Sequence, residues 1–340
     1  MPVTIKDLSQ RCGLSVSAIS KALNNYTDIS EETRAYVRKV AAEMGYFPNA
    51  QARALKTNRS YNIGVVYQDG MNYGFMHNFF ISILDDFKRA VENRGYDLTF
   101  LNRGVGDGQM SYLNHCRYRG MDGALIACVD FLDPEIAELS SSDISTVSID
   151  NLSAGSPCVM SDNRTGMREL VNYVARMGHE KIAFVHGEDG AVTQSRRMSF
   201  FDSMAALGLR VVPEYVVEGR YHSPDICKNE VEKLLNLPEP PTCILLTDDY
   251  AALGGMEAIS KAGLRIPEDI SVTGYDGIQF TQLMRPRLTT VRQDTASIGC
   301  EAARLLLDRI ENPSQSAPLP VLVSSELITG ETVLRISAEA

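Results

Sequence analysis

The sequence predicts an all-α helix-turn-helix head followed by an α/β body built as two lobes. Three observations carry this. Val3 to Asn24 reads as two short helices around a tight turn. From Asn62 the chain changes to short β-rich apolar runs alternating with helical stripes, too many for one comfortable sheet. Charge is divided in the same place. Residues 1–60 hold nine Lys/Arg against five Asp/Glu, a net of +4, which leaves −14 of the chain's −10 total on the remainder. A basic head on an acidic body suits a nucleic-acid module whose partner domain does not stick to phosphate.

In the head, Thr4 caps a first helix and Asp7 answers it three positions on. Ile5, Leu8 and Cys12 recur at helical spacing, and Gly13 falls where a left-handed stop belongs. Ser15 caps a second helix running to about Asn24, with Ile19, Ala22 and Leu23 inward. Its other face carries Ser17, Ser20, Lys21 and Asn24, small, polar and cationic, which suits a major groove. A third helix is predicted from about Ser30 to Met44, with the stripe Val37, Val40, Ala41 and Met44, and Gly45 ends it. Pro48 and Asn49 can start a further helix, too short to hold on its own in water. Leu55 in it is an apolar residue that suits a wedge into a minor-groove step.

The chain has 340 residues, 44% hydrophobic and 22% charged, ordinary for a globular protein of two or three domains. No apolar run approaches the ~20 residues that span a bilayer. The N-terminus lacks the shape of a signal peptide, so the cytoplasm is expected. The seven cysteines, 12, 116, 128, 158, 227, 243 and 300, are odd in number and contain no C-x-x-C, so neither disulfides nor a zinc site is expected.

In the body, NIGVVY is a strand, Phe79 to Arg94 a helix with Phe80, Ile83, Leu84, Phe87 and Val91 on one side, and YDLTFL a strand. Gly104 to Gly108 reads as a loop. A helix over Tyr112–Arg119, the strands GALIACV, STVSID and CVMS, and a helix over Thr165–Met177 follow. The strand KIAFVH, a helix Ser195–Leu207, the strand YVVEG, a helix Pro224–Leu235, the strand TCILLT, a helix Asp249–Ala262 and the strand ISVTGYD complete the alternation. VLVSSELITG reads as one last strand. This rhythm means parallel sheets with right-handed crossovers, and ligands bind beyond the carboxyl ends of such strands.

The strings VTIKDL, GLSVSAISKALN, SEETRAYV, MGYFPNAQARAL, DNRTGM, GHEKIAFVHG, TDDYAALGG, RIPEDISVTGYDG and RPRLTTVRQD stand in order along almost the whole chain. Together they resemble the lactose-repressor/galactose-repressor (LacI/GalR) family of bacterial transcription regulators. The resemblance implies a helix-turn-helix head over 1–46, a hinge over 47–60 and a periplasmic-binding-protein-like effector and dimerisation domain over 61–340. It implies three crossings between lobes, placed near Ser161, Arg292 and Pro320. The N-lobe is then about 61–161 and 293–320, and the C-lobe about 162–292 and 321–335. Thr4, Val16, Ser17, Ser20, Lys21 and Asn24 are implied to meet double-stranded operator DNA. Ala52 and Leu55 are implied to enter the minor groove, with Asn49 holding the hinge on the backbone. The expected assembly is a homodimer without a tail-driven tetramer, since no leucine heptad tail follows.

Asp150, Arg197, Asp248 and Asp276 stand at strand or helix starts. Three carboxylates and an arginine fork can bind the hydroxyls of a sugar or another small polyol, and in the family the resemblance points to, matching positions line the effector pocket. Asp150 and Asp276 could equally be turn or cap residues. Asp248 departs from the family's usual Asn, and Phe200 from its usual Gly. In the loop before Phe79, Tyr73, Phe75 and Phe79 either stack on a sugar face or pack as core, and Asp69 is a further pocket candidate. His77 and Asn78 stand where Asn and Pro are usual. No metal-ligand spacing, P-loop or Ser/His/Asp set appears, so no cofactor and no enzymatic activity are expected. The rival is a solute-binding protein or α/β enzyme with an incidental helical N-terminus, which has no use for the segment PNAQARAL.

Overall fold

Leu8, Ile19 and Val37, one from each of three helices, are fully buried at the centre of the head. Each contributes about 1.5–3 kcal/mol by leaving water. The helices are α1 (Ile5–Cys12), α2 (Val16–Leu23) and α3 (Glu31–Met44). Their ends obey the expected local chemistry. Thr4 and Asp7 form a reciprocal capping box, Ser15 accepts from the Ala18 amide, and Gly13 and Gly45 stop α1 and α3 at φ 67° and 66°. Such a dense set of caps matters, because helices of eight residues do not persist alone.

The computed structural model describes residues 3–47, 59–68, 78–105, 108–130, 132–152, 156–312 and 320–336, in two units that meet at Tyr61–Asn62 in the chain. The second unit contains, in order, β1 (Asn62–Tyr67), α4 (Asn78–Glu92), β2 (Asp97–Leu101), β3 (Gly104–Val105), β4 (Gly108–Gln109), α5 (Tyr112–Arg119), β5 (Gly123–Ala127), α6 (Pro134–Ser140), β6 (Ser145–Ile149) and β7 (Cys158–Ser161). After these come α7 (Asn163–Arg176), β8 (Ile182–His186), α8 (Ala191–Ala206), β9 (Val216–Glu218), α9 (Pro224–Leu235), β10 (Cys243–Leu245), α10 (Asp249–Lys261), β11 (Ser271–Asp276), α11 (Gln279–Leu283) and β12 (Thr289–Gln293). It ends with α12 (Thr295–Glu311), β13 (Val321–Val323) and β14 (Ser325–Ile328).

Two six-stranded sheets result, in the orders β13-β7-β6-β5-β1-β2 and β14-β12-β11-β10-β8-β9. All ladders in them are parallel except β12 with β14. The central strands β5, β8 and β10 are buried along their whole length, as sheets covered on both faces require.

The chain passes between lobes after Ser161 and after Gln293, close to the expected places. The third crossing differs. Val321–Val323 pairs with β7 in the first sheet, and Ser325–Ile328 pairs antiparallel with β12 in the second. The crossing is at Ser324 and not near Pro320, and VLVSSELITG is two strands. A continuous strand-like run carries no sign of the residue at which its pairing partner changes. Gly104–Val105 and Gly108–Gln109 also pair as a small hairpin where a loop was expected. α6, α11 and α12 add helices outside the expected alternation. α12 has a legible stripe, Ile298, Ala302, Leu305, Leu306 and Ile310, and lies on α4. Gly299 permits that approach, since a Cβ there would stand 2.5 Å from the Ile83 carbonyl oxygen.

Candidate DNA interface and effector cleft

In the head, α2 presents Val16, Ser17 and Asn24 exposed and Ser20 and Lys21 half-buried, while Ile19 and Ala22 face the core. Several of these side chains are already engaged. The Thr4 hydroxyl donates to Asp7 Oδ2 at 2.7 Å, and Asn24 Nδ2 donates to the Ser20 carbonyl at 2.7 Å. Lys21 pairs with Asp28. Thr4 therefore combines a cap with its expected DNA position. Asn49, Ala52 and Leu55 lie outside the described residues, as do Asp69, Tyr73 and Phe75.

In the body, the carboxyl ends of β6 and β11 each run into an aspartate held in left-handed backbone, Asp150 at φ 60° and Asp276 at φ 106°. Non-glycine residues rarely adopt this conformation, and such strain gathers at functional sites. Arg196 of α8 faces both. Its Nε donates to Asn163 Oδ1 at 2.7 Å and its Nη1 to the Thr247 carbonyl at 2.9 Å. The guanidinium lies 3.5 Å from the Tyr275 ring centroid and 5.8 Å from that of Tyr221. Burial pushes the Asp150 carboxyl up to about 6, and Arg196 pulls it back. Burial, then the neighbouring Asp248, push Asp276 well above the usual carboxylate range, again with Arg196 opposing. Asp276 accepts from Gln293 Nε2 at 2.6 Å, and its other oxygen is 3.9 Å from His222 Nε2. Asp150 Oδ1 is buried without a partner among the described residues. One arginine, two strained carboxylates and two tyrosine rings thus converge where the fold class puts its ligands. The arrangement can accept from a hydroxyl at Asp150.

Two expected residues are replaced. Arg197 is half-buried and makes no hydrogen bond or ion pair among the described residues; Arg196 takes its place in the cluster. Neighbouring helical residues point about 100° apart, so only one of the pair can face inward. The buried stripe Thr193, Arg196, Phe200, Ser203 and Met204 selects it, and that spacing was visible in the sequence. Asp248 caps α10. It accepts from the Ala251 amide at 2.8 Å, the His222 amide at 2.8 Å and the Thr247 hydroxyl at 3.2 Å. Its side chain thus has a helix-capping role. Asp249 beside it is structural too. It accepts from the Ile278 amide and the Thr281 and Thr290 hydroxyls, and burial lifts it to about 7.

Phe79 is buried, with its ring edge-on to Phe80 at 5.1 Å. Asn163, Tyr221, His222, Tyr275 and Gln293 belong to the cluster without having been expected there. Tyr221 had a signal, an aromatic after the turn that ends β9; the others are placed by tertiary contact alone. At the cleft edge, Asn78 of the first lobe donates to the Tyr250 hydroxyl of the second at 2.8 Å, and the Tyr250 ring leans on His222. A further surface depression, lined by Arg176, His179 and Leu207, sits at the amino end of β8 and gathers no comparable polar set.

Residues 4–49 match the family described as bacterial regulatory proteins, lacI family, and residues 171–333 match a periplasmic binding protein-like domain. A probable HTH-type transcriptional repressor, ExuR, of Bacillus subtilis (strain 168) is 30% identical over 98% of this chain and 99% of its own. The chain belongs to the lacI family. It is a DNA-binding transcription regulator with a helix-turn-helix head and a two-lobed binding-protein-like body. The lac repressor dimer bound to operator and the anti-inducer ONPF superposes with a TM-score of 0.83 at 24% identity, covering 98% of this chain and 100% of that one. A CelR–cellobiose complex gives 0.71 at 23% identity, over 97% and 99%. These two likenesses concern the fold. Among the described residues, no helix is long and apolar enough to cross a membrane, and no group of His, Cys, Asp or Glu is placed to hold a metal ion.

Proposed function

We propose that this family member is a cytoplasmic repressor that binds a pseudo-palindromic operator as a homodimer and answers to a small polyhydroxylated effector in the interlobe cleft. The observation that carries the effector reading is Arg196, buried within electrostatic reach of Asp150 and Asp276, with Asp150 Oδ1 unpaired among the described residues. A hydroxyl donor satisfies that oxygen, and the half-buried Tyr221 ring suits the apolar face of a sugar. The cellobiose bound by a structural relative fits the same chemistry. Asp150, Arg196 and Asp276 are the ligand-contacting set in this reading. Val16, Ser17, Ser20, Lys21 and Asn24 meet bases and phosphates, with Thr4 at the helix start, and Asn49, Ala52 and Leu55 serve as the hinge contacts. Effector and operator favour different populations of one dimer, and this difference in affinity is the coupling.

A thermal-shift screen of sugars, sugar phosphates and nucleosides tests the cleft. A bound effector raises the melting temperature by mass action, by an amount that grows with concentration above its Kd. Mobility shifts with a palindromic operator library test the head. A purified dimer without sequence-selective, salt-dependent binding would sink the repressor reading.

A further inference from the structure

Lys21 is the only charged residue of α2, and in the sequence it reads as a free cation offered to DNA. The structure cancels that charge. Its ammonium is bound to the Asp28 carboxylate seven residues on, in the turn between α2 and α3. The side chains of the pair remain 41% and 52% accessible, so both can be reached from outside the head.

Asp28 is brought there by a fixed turn. Asn25 holds left-handed backbone at φ 59°, and its side-chain and carbonyl oxygens accept from Arg38 and Arg34 of α3. The Tyr26 amide donates to the Lys21 carbonyl at 3.1 Å, and the Ile29 amide to the Tyr26 carbonyl at 3.3 Å. Ile29 itself packs on the core of the head. The carboxylate is therefore carried between two anchors, Asn25 and Ile29.

A neutralised ion pair has little attraction for the phosphate backbone, whose binding rests on free Lys and Arg releasing counterions. It does have a matching surface. A G·C pair shows the guanine N7 and O6 acceptors beside the cytosine N4 donor in the major groove, and Lys and Asp are the side chains that complement these edges. We propose that Asp28 is a specificity-determining residue of the head: it withholds Lys21 from phosphate and admits the pair to a G·C base pair, Lys21 on guanine and Asp28 on cytosine N4. This rests on the reading of α2 as the major-groove helix. Most exposed ion pairs are idle surface features; what sets this one apart is its place on the reading helix and the fixed turn beneath Asp28.

The test uses the full-length protein and its D28N, D28A and K21A/D28A variants. Each is titrated against the best duplex from a randomised palindromic library, that duplex with each base pair exchanged in turn, and an unrelated duplex, over a salt series. D28N and D28A should bind the unrelated duplex more tightly, with a salt slope steeper by about 1. They should also lose about fivefold of the preference for G·C at one position of each half-site, the low end for one base contact. K21A/D28A should lose the gain in slope. Unchanged slope and preference in D28N, an equal weakening on every duplex, or a wild-type preference for A·T at the affected position would each overturn the inference while leaving the DNA reading intact. A wild-type protein that selects no sequence overturns both.

Discussion

Arg196→Met against Arg197→Met separates the arginine that the structure places in the cleft from the one that family position suggests. Methionine keeps most of the length of arginine and removes its charge and donors. At position 196 the loss has three parts. Asn163 Oδ1 and the Thr247 carbonyl each lose a donor in a site where Arg196 is only 4% exposed, at about 1 kcal/mol apiece. The carboxylates also lose their compensating cation. Asp150, already lifted to about 6, can escape by taking up a proton, and at pH 7 that costs about 1.4 kcal/mol. The floor of the destabilisation is then about 3–4 kcal/mol, within the usual range for breaking a buried pair. Arg197→Met should stay within about 0.5 kcal/mol. Urea unfolding at pH 7.5 and pH 5.5 measures both. The Arg196→Met deficit should shrink at the lower pH, because Asp150, lifted to about 6, is then largely protonated and needs no cation. The thermal shift given by any effector found should vanish in Arg196→Met and persist in Arg197→Met. Equal deficits at the two pH values, or an effector response lost only in Arg197→Met, would refute the placement of Arg196 at the ligand.

Asp249 has a folded pKa of about 7, above its unfolded value, so the stability it contributes is full below about pH 4 and is lost as pH rises through 7. Asp249→Asn should flatten the dependence of unfolding free energy on pH between about 4 and 7, and an unchanged slope counts against the assignment. Gly299→Ala forces a Cβ against the Ile83 carbonyl and should cost about 1–3 kcal/mol in denaturant unfolding; a neutral result would mean that α4 and α12 separate easily. Tyr250→Phe removes the bond from Asn78 between the lobes and should weaken effector binding about fivefold by calorimetry, with global stability almost unchanged. Unaltered affinity would show that the contact does not report closure. Leu55→Ala should weaken operator binding strongly in mobility shifts and leave effector affinity nearly as it was; equal loss of both would mean that Leu55 belongs to a core.

The head was legible because its signals are local. Thr4 with Asp7, Ser15, Ser30, Gly13 and Gly45 each act within one turn of the residue that announces them, and all five act as expected. The alternation of the body was legible for the same reason. What escaped depends on tertiary partners. Ser324 looks like any strand residue until β7 and β12 claim its two neighbours. Asp248 looks like a pocket carboxylate until His222 and Ala251 occupy its oxygens. Arg196 is the instructive case, since its stripe with Thr193, Phe200 and Met204 was in plain view and only the match to the family's arginine pointed one residue further on.

In the proposed reading, the cleft also gives a bound molecule a way to move the lobes. Two of the three crossings begin or end beside a residue hydrogen-bonded to the cluster. Asn163, next to the crossing after Ser161, accepts from Arg196, and Gln293, next to the crossing into α12, donates to Asp276. A ligand hydroxyl that binds Arg196 or Asp276 competes for these same atoms. Its binding energy is then spent partly on the segments whose backbone sets the angle between lobes, without any relay through the packed sheets. The third crossing is at Ser324, and β14 after it is the one antiparallel strand of its sheet. Arg197, one residue on, makes no hydrogen bond or ion pair among the described residues, so an effector held by it would have no such route to the crossings.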